Sequence, residues 1–126
     1  WGLKICVVTG SAQHVLLDKL GSDLKGLVTK DLMVTAFDVK HGKPAPEPYL
    51  KGMEKCGISP WEAMVVENAP LGVRAAVAAQ CFTIAVNTGP LPDEMLVHEG
   101  ANLIFPRMTA LSEEWQNIMK CFKGEK

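Results

Sequence analysis

Apolar residues follow two alternating rhythms along the chain. Short β-branched or apolar runs at 3–9, 32–35, 63–66, 82–86 and 102–105 read as strands, and all but the second stop on glycine, an acid, an amide or a proline. The runs at 63–66 and 82–86 are too short and too apolar for free helices and predict strands buried on both faces. Between them the period changes. Apolar residues at positions 12, 15, 16, 17 and 20 suit one face of a helix over 11–20, with Gly21 as its stop. Pro48 opens a second helix whose buried side is Tyr49, Leu50, Met53 and Cys56, ended by Gly57. Further helices are predicted over 70–80, 92–99 and 111–122, with a short turn at 59–62. The alanines within 75–79 make the 70–80 helix thin enough for close packing on a sheet. Strands separated by helices predict an α/β fold, a doubly wound parallel sheet with helices on both faces. No internal repeat, low-complexity tract or interdomain linker interrupts it, and residues 124–126 read as a frayed tail.

Composition sets bounds on this picture. With 126 residues, 48% of them hydrophobic, the chain suits one compact domain and is too short for two sizeable cores. Thirteen basic and 14 acidic residues are scattered, which argues against nucleic acid and anionic membrane surfaces as general partners. Cys6, Cys56, Cys81 and Cys121 lie far apart with no zinc-type spacing, so a reduced, cytoplasmic compartment is expected. No apolar segment approaches the roughly 20 residues that span a bilayer. The chain opens on Trp1, so the lack of a signal peptide carries no weight.

Candidate chemistry gathers at three places that the pattern puts at or near strand ends, the edge where open parallel sheets bind ligands. In Val7-Val8-Thr9-Gly10-Ser11, hydroxyls and the free N–H groups of a following helix can hold a phosphate oxygen, although Thr and Ser before a helix are also common caps. Lys43 sits in Gly42-Lys43-Pro44-Ala45-Pro46, where the bias against helix before Pro44 restricts the direction of its ammonium. It can neutralise a phosphate and a carboxylate together, or be a plain surface lysine. Glu67 and Asn68 close the 63–66 strand and carry hard oxygens suited to Mg²⁺. The bland alternative makes Asn68 the cap of the next helix and Glu67 a solvated loop acid. His14, His41 and His98 have no mutual metal spacing, and Trp61 and Trp115 read as covers for core edges.

In order and approximate spacing, these places resemble three motifs of the haloacid dehalogenase-like hydrolase superfamily, in its β-phosphoglucomutase-like branch. Val7-Val8-Thr9-Gly10-Ser11 is similar to the second motif, Gly42-Lys43-Pro44-Ala45-Pro46-Glu47-Pro48-Tyr49 to the third, and Val65-Val66-Glu67-Asn68-Ala69-Pro70-Leu71-Gly72-Val73 to the fourth. The resemblance implies a Rossmann-like three-layer core in which Thr9, Gly10 and Ser11 bind phosphate. It makes Lys43 the group that steadies phosphate and nucleophile, with Glu67 and Asn68 holding Mg²⁺. Two departures stand out. The fourth motif usually presents two acids, and Asn68 brings an oxygen without a charge. The first motif, a strand ending in Asp-x-Asp that carries the nucleophile and the general acid/base, is absent. Asp38 is followed two residues later by Lys40 and precedes the lysine motif, and Asp18, Asp23, Asp31 and Asp93 fit no better.

Residues 1–126 are therefore expected to be the C-terminal portion of a hydrolase core, without its first strand and its cap domain. The family fold places that strand between those ending at Thr9 and Glu67, so its loss would leave a gap in the sheet. The implied activity is Mg²⁺-dependent phosphoryl transfer, as a phosphatase or phosphomutase, on a small phosphorylated metabolite such as a sugar phosphate. Its implied partners are that metabolite and the missing N-terminal segment, and the chain alone is expected to be inactive. The rival from another class is a noncatalytic α/β phosphate-binding or interaction module. An upstream Asp-x-Asp-Gly would decide for the enzyme. A dinucleotide-binding domain fails for want of a G-x-G-x-x-G after any strand.

Overall fold

The apolar runs build short strands, and parallel pairing sets where they begin and end. In the computed structural model, which describes residues 3–10 and 32–122, the strands are β1 (Val7–Val8), β2 (Met33–Val34), β3 (Met64–Glu67), β4 (Phe82–Val86) and β5 (Leu103–Phe105). The helices are α1 (Glu47–Cys56), α2 (Pro70–Ala78), α3 (Asp93–His98) and α4 (Met108–Phe122), with a 3-10 turn at Pro60–Glu62. The helix predicted over 11–20, Ser11, His14 and the tail at 124–126 lie outside the described residues.

All pairings are parallel. β1 pairs with β2 through Val7 opposite Met33 and Val8 opposite Val34. In a separate sheet, β3 pairs with β4 from Met64 opposite Phe82 to Glu67 opposite Ala85, and β4 pairs with β5. Helices cover both faces of that sheet, as the alternation predicts. On one face Tyr49 and Met53 of α1 and Ala75 and Ala76 of α2 enclose Val65, while Leu96 of α3 packs with Val73 and Ala85. On the other, Leu111 of α4 packs with Ile84 and Val86, flanked by Trp115 and Ile118. Ala75 and Ala76 are fully buried, so the thin face of α2 does bring helix and sheet close.

Several expectations need correction. The 3–9 run is a strand only at Val7–Val8, because β2 offers just two partners; Leu3 and Ile5 remain 47% and 49% exposed. β3 is not buried on both faces, since Val66 is 42% exposed beyond the cover of α4. Leu50 faces outward at 47% exposure, and Gly52 takes its place on the inner side of α1, where the Val8 and Cys6 side chains leave only tight room for a Cβ. Trp61 covers no core edge, being 79% exposed on the 3-10 turn. α4 starts at Met108, three residues before the predicted onset at 111, directly after the Pro106-Arg107 bend.

The two sheets do not join. Among the described residues β1 bonds only to β2 and β3 only to β4, and a cleft of about 960 Å³ opens between β1 and β3. Its walls are largely apolar, with Ile5 and Val8 on one side and Val65 and Val66 on the other, while Thr9, Lys43, Glu67 and Asn68 lie along it as well. No described helix is long and apolar enough to cross a membrane.

Candidate active site

Thr9 follows β1 directly, and its N–H donates to the Val34 carbonyl at 2.8 Å, carrying the β1–β2 ladder one step beyond the strand. Gly10 is the last described residue of that motif and Ser11 lies outside. Lys43 comes from the proline-rich loop ahead of α1. The His41 N–H donates to Glu47 Oε2 at 2.6 Å and the Ala45 N–H to the Gly42 carbonyl at 3.0 Å, so the loop is pinned on both sides of Lys43, whose peptide bond to Pro44 is cis. β3 ends on Glu67, the first residue of the run whose side chain needs a polar partner once buried.

These elements converge on one carboxylate. Lys43 Nζ lies 2.8 Å from Glu67 Oε2 and donates to the Val8 carbonyl at 3.4 Å. One ammonium thus ties the end of β1 to the end of β3 across the mouth of the cleft. Tyr49, in the first turn of α1, donates its hydroxyl to the same Glu67 Oε2, and its ring lies 5.1 Å from Lys43 Nζ. Glu67 Oε1 accepts the Asn68 N–H at 3.1 Å. Burial by itself would raise the Glu67 carboxyl, but hydrogen bonds from Lys43 and Tyr49, the lysine charge and the Asn68 N–H outweigh it and hold the group below the usual carboxylate range. Burial and the adjacent carboxylate push the Tyr49 phenol well above its ordinary value, so it is a permanent donor here.

Neither bland alternative for this pair describes the geometry. The Glu67 side chain is only 10% exposed, so it is not a solvated loop acid. The N-cap of α2 is Ala69, without a side-chain cap bond, and Asn68 instead turns its Nδ2 to Thr88 Oγ1 at 3.4 Å, leaving its carbonyl oxygen free of any described hydrogen bond. Asp38, the nearest imitation of a nucleophile, accepts the Thr35 N–H at 2.8 Å and lies 3.6 Å from Lys55, which fixes it to its own turn.

A cation at this edge would find hard oxygens, Glu67 Oε1 and Asn68 Oδ1, but no group of three or more His, Cys, Asp or Glu is assembled among the described residues. Two such donors suit Mg²⁺, which commonly keeps several waters and takes the rest of its shell from one or two side chains and a phosphate.

Reading the sequence missed three contributors. Tyr49 appeared only as an apolar residue on a helix face, yet a buried phenol usually needs a partner, which is the signal that could have flagged it. Thr88 lay in a loop with no marked chemistry. Gly72 belonged to the helix after Glu67, but nothing in its spacing says that a Cβ there would fall inside the Glu67 carboxyl.

Comparison with known proteins places the chain in a family. The haloacid dehalogenase-like hydrolase family profile matches residues 1–86. Hexitol phosphatase A of Escherichia coli (strain K12) is 41% identical over 86 residues, covering 68% of this chain and 39% of that protein. A putative β-phosphoglucomutase from Bacteroides vulgatus superposes with a TM-score of 0.90 at 54% identity, over 97% of this chain and 49% of that one. A putative β-phosphoglucomutase from Thermotoga maritima gives a TM-score of 0.67 at 32% identity, over 86% and 48%. The chain thus spans about half or less of the length of these relatives.

Gly72 generates a test with a sign opposite to the usual one. Glycine to alanine inside a helix ordinarily gains up to about 1 kcal/mol. Gly72→Ala should instead lower the thermal midpoint, because the new methyl displaces the Glu67 carboxyl from Lys43 and Tyr49. A raised midpoint would show that Glu67 has room to move at no cost.

Proposed function

The chain belongs to the haloacid dehalogenase-like hydrolase family, in its β-phosphoglucomutase-like branch, and we propose from that membership and the site above that it carries the phosphate- and metal-binding half of a Mg²⁺-dependent phosphoryl-transfer enzyme. The observation that carries this reading is the convergence of Lys43, Glu67 and the end of β1 on one cleft edge from positions far apart in sequence, Glu67 lying 24 positions after Lys43 and Lys43 35 positions after Val8.

In this reading Thr9, Gly10 and Ser11 bind the transferring phosphoryl group through hydroxyl and backbone N–H donors, and Lys43 offsets its negative charge while remaining paired to Glu67. Glu67 and Asn68 hold Mg²⁺ directly or through water. When bound, the cation neutralises charge that develops on the phosphoryl oxygens. Asn68 supplies an oxygen without a charge, so the site leans more on Glu67 and on the phosphate itself. The relatives named above support a phosphorylated sugar or sugar alcohol as the substrate class, with phosphatase and mutase chemistry both open to this half-site.

An in-line nucleophile is still required. Residues 1–126 make up the C-terminal portion of the core in this proposal, and the apolar cleft between β1 and β3 receives a further parallel strand from an N-terminal segment that brings the attacking aspartate. Both walls offer what such a strand needs: backbone edges with no described sheet partner, and the exposed apolar side chains of Ile5 and Val66.

Two outcomes are expected. In the full-length protein, Lys43→Ala should reduce kcat toward a sugar phosphate by on the order of 10²-fold, the usual cost of removing one preorganised electrostatic group. Wild-type turnover in a folded Lys43→Ala protein would remove the lysine from the reaction. The 126-residue chain made alone should not hydrolyse phosphate esters and should self-associate rather than unfold sharply as a monomer. A buried strand contributes about 1.5–3 kcal/mol per large side chain against a domain total of roughly 5–15 kcal/mol, and open strand edges promote association. A cooperative monomeric transition, or metal-dependent hydrolysis by the isolated chain, would contradict the half-site reading.

A further inference from the structure

Glu67 is contacted by groups of unequal directing power. Lys43 brings a compact ammonium on a flexible stem, with three rotatable donors, which fixes a distance to Oε2 but little about the rotation of the carboxyl plane. Tyr49 differs in kind. Its ring is 6% exposed and packed with Met53, Ala63, Val65 and Ala76, so its hydroxyl approaches Glu67 Oε2 from a direction that the core sets. The carboxyl also rests where a Cβ of residue 72 would be, and the glycine there is what leaves the space. The hydroxyl and the space left by the glycine together restrict how the carboxyl plane turns. Oε2 is taken twice, and Oε1 meets only the Asn68 N–H among the described residues, on the side of the Asn68 amide.

We infer that Tyr49 is a positioning residue for cation binding: by holding Glu67 Oε2 with Lys43 it presents Oε1, together with the Asn68 carbonyl, to Mg²⁺. This rests on the proposed role of Glu67 as a metal-site residue and adds to it the group that aims the carboxylate. The arrangement answers a problem peculiar to this chain. With an uncharged amide at position 68, attraction alone centres the cation less firmly, and the direction of the one charged oxygen weighs more. A hydrogen-bonding partner of a metal ligand commonly accounts for about 10–100-fold in metal affinity.

The substitution Tyr49→Phe isolates the hydroxyl, since the phenyl ring keeps the packing in the core and the position over Lys43. Mg²⁺ alone would be titrated calorimetrically into the full-length wild-type protein and into Tyr49→Phe, Glu67→Gln and the double variant, with thermal midpoints measured in parallel. The expected result is a loss of about 10–100-fold in Mg²⁺ affinity for Tyr49→Phe. Its midpoint should fall, since a buried carboxylate loses one donor, with the transition still cooperative; in Mg²⁺ affinity the double variant should lose no more than Glu67→Gln alone, because the hydroxyl acts only through that carboxylate. Unchanged Mg²⁺ affinity in Tyr49→Phe, with Glu67→Gln weakened, would overturn the positioning role and leave the metal-site reading standing. Unchanged affinity in Glu67→Gln would overturn both. Equal losses from Tyr49→Phe in the wild-type and Glu67→Gln backgrounds would also overturn the inference, since the hydroxyl would then act by another route.

Discussion

Lys43 is the only described side chain that bonds to the end of β1 and to the end of β3 at once, and the geometry of the cleft mouth depends on that bridge. The two sheets share no described ladder; α1 packs against β1 and β2, its Tyr49 and Met53 share a core cluster with Val65 of β3, and the ammonium links the carboxyl edges. Glu67 needs the lysine as much as the lysine needs a fixed anchor. A largely buried carboxylate without a cation beside it would be driven toward its neutral form, and a neutral acid is a poorer partner for either a cation or a phosphate-bound lysine.

Much of the fold was legible from the sequence. Buried parallel strands leave continuous apolar runs, and acids or amides mark the carboxyl ends of these two, so β4 over Phe82–Val86 matches its predicted span and β3 ends one residue further on. Lengths failed where a strand's extent depends on its neighbour, as at Val7–Val8, because period and composition say nothing about which backbone lies alongside. Exposure failed for a related reason. Leu50, Val66 and Trp61 are apolar in the sequence, but covering them depends on the position of a second element, which one residue's chemistry does not encode.

The site shows the same division. Lys43, Glu67 and Asn68 stand out because charged or amide side chains directly beside prolines and apolar runs break a pattern. Gly72 and Thr88 conform to theirs, since a glycine near a helix start and a threonine in a turn raise no signal, and Tyr49 offered only the weaker signal of a hydroxyl on a buried helix face. Their roles come from convergence on Glu67 and Asn68 in three dimensions, where a hydroxyl, a missing methyl and a turn oxygen each meet the same short segment. The four-residue strand β3 therefore carries more of the chemistry than its length implies.

The central claim, that one cation and one phosphate share the edge defined by Thr9, Lys43, Glu67 and Asn68, is tested most directly by a crystal structure of the full-length protein grown with Mn²⁺ and inorganic phosphate. Anomalous scattering locates the metal independently of the phosphate. The account predicts an anomalous peak within bonding distance of an oxygen of Glu67 or Asn68, or one water removed from them, and a phosphate that bridges this metal to Lys43 and Thr9. A metal and phosphate bound together elsewhere, with Glu67 still engaged only by Lys43, Tyr49 and the Asn68 N–H, would contradict it.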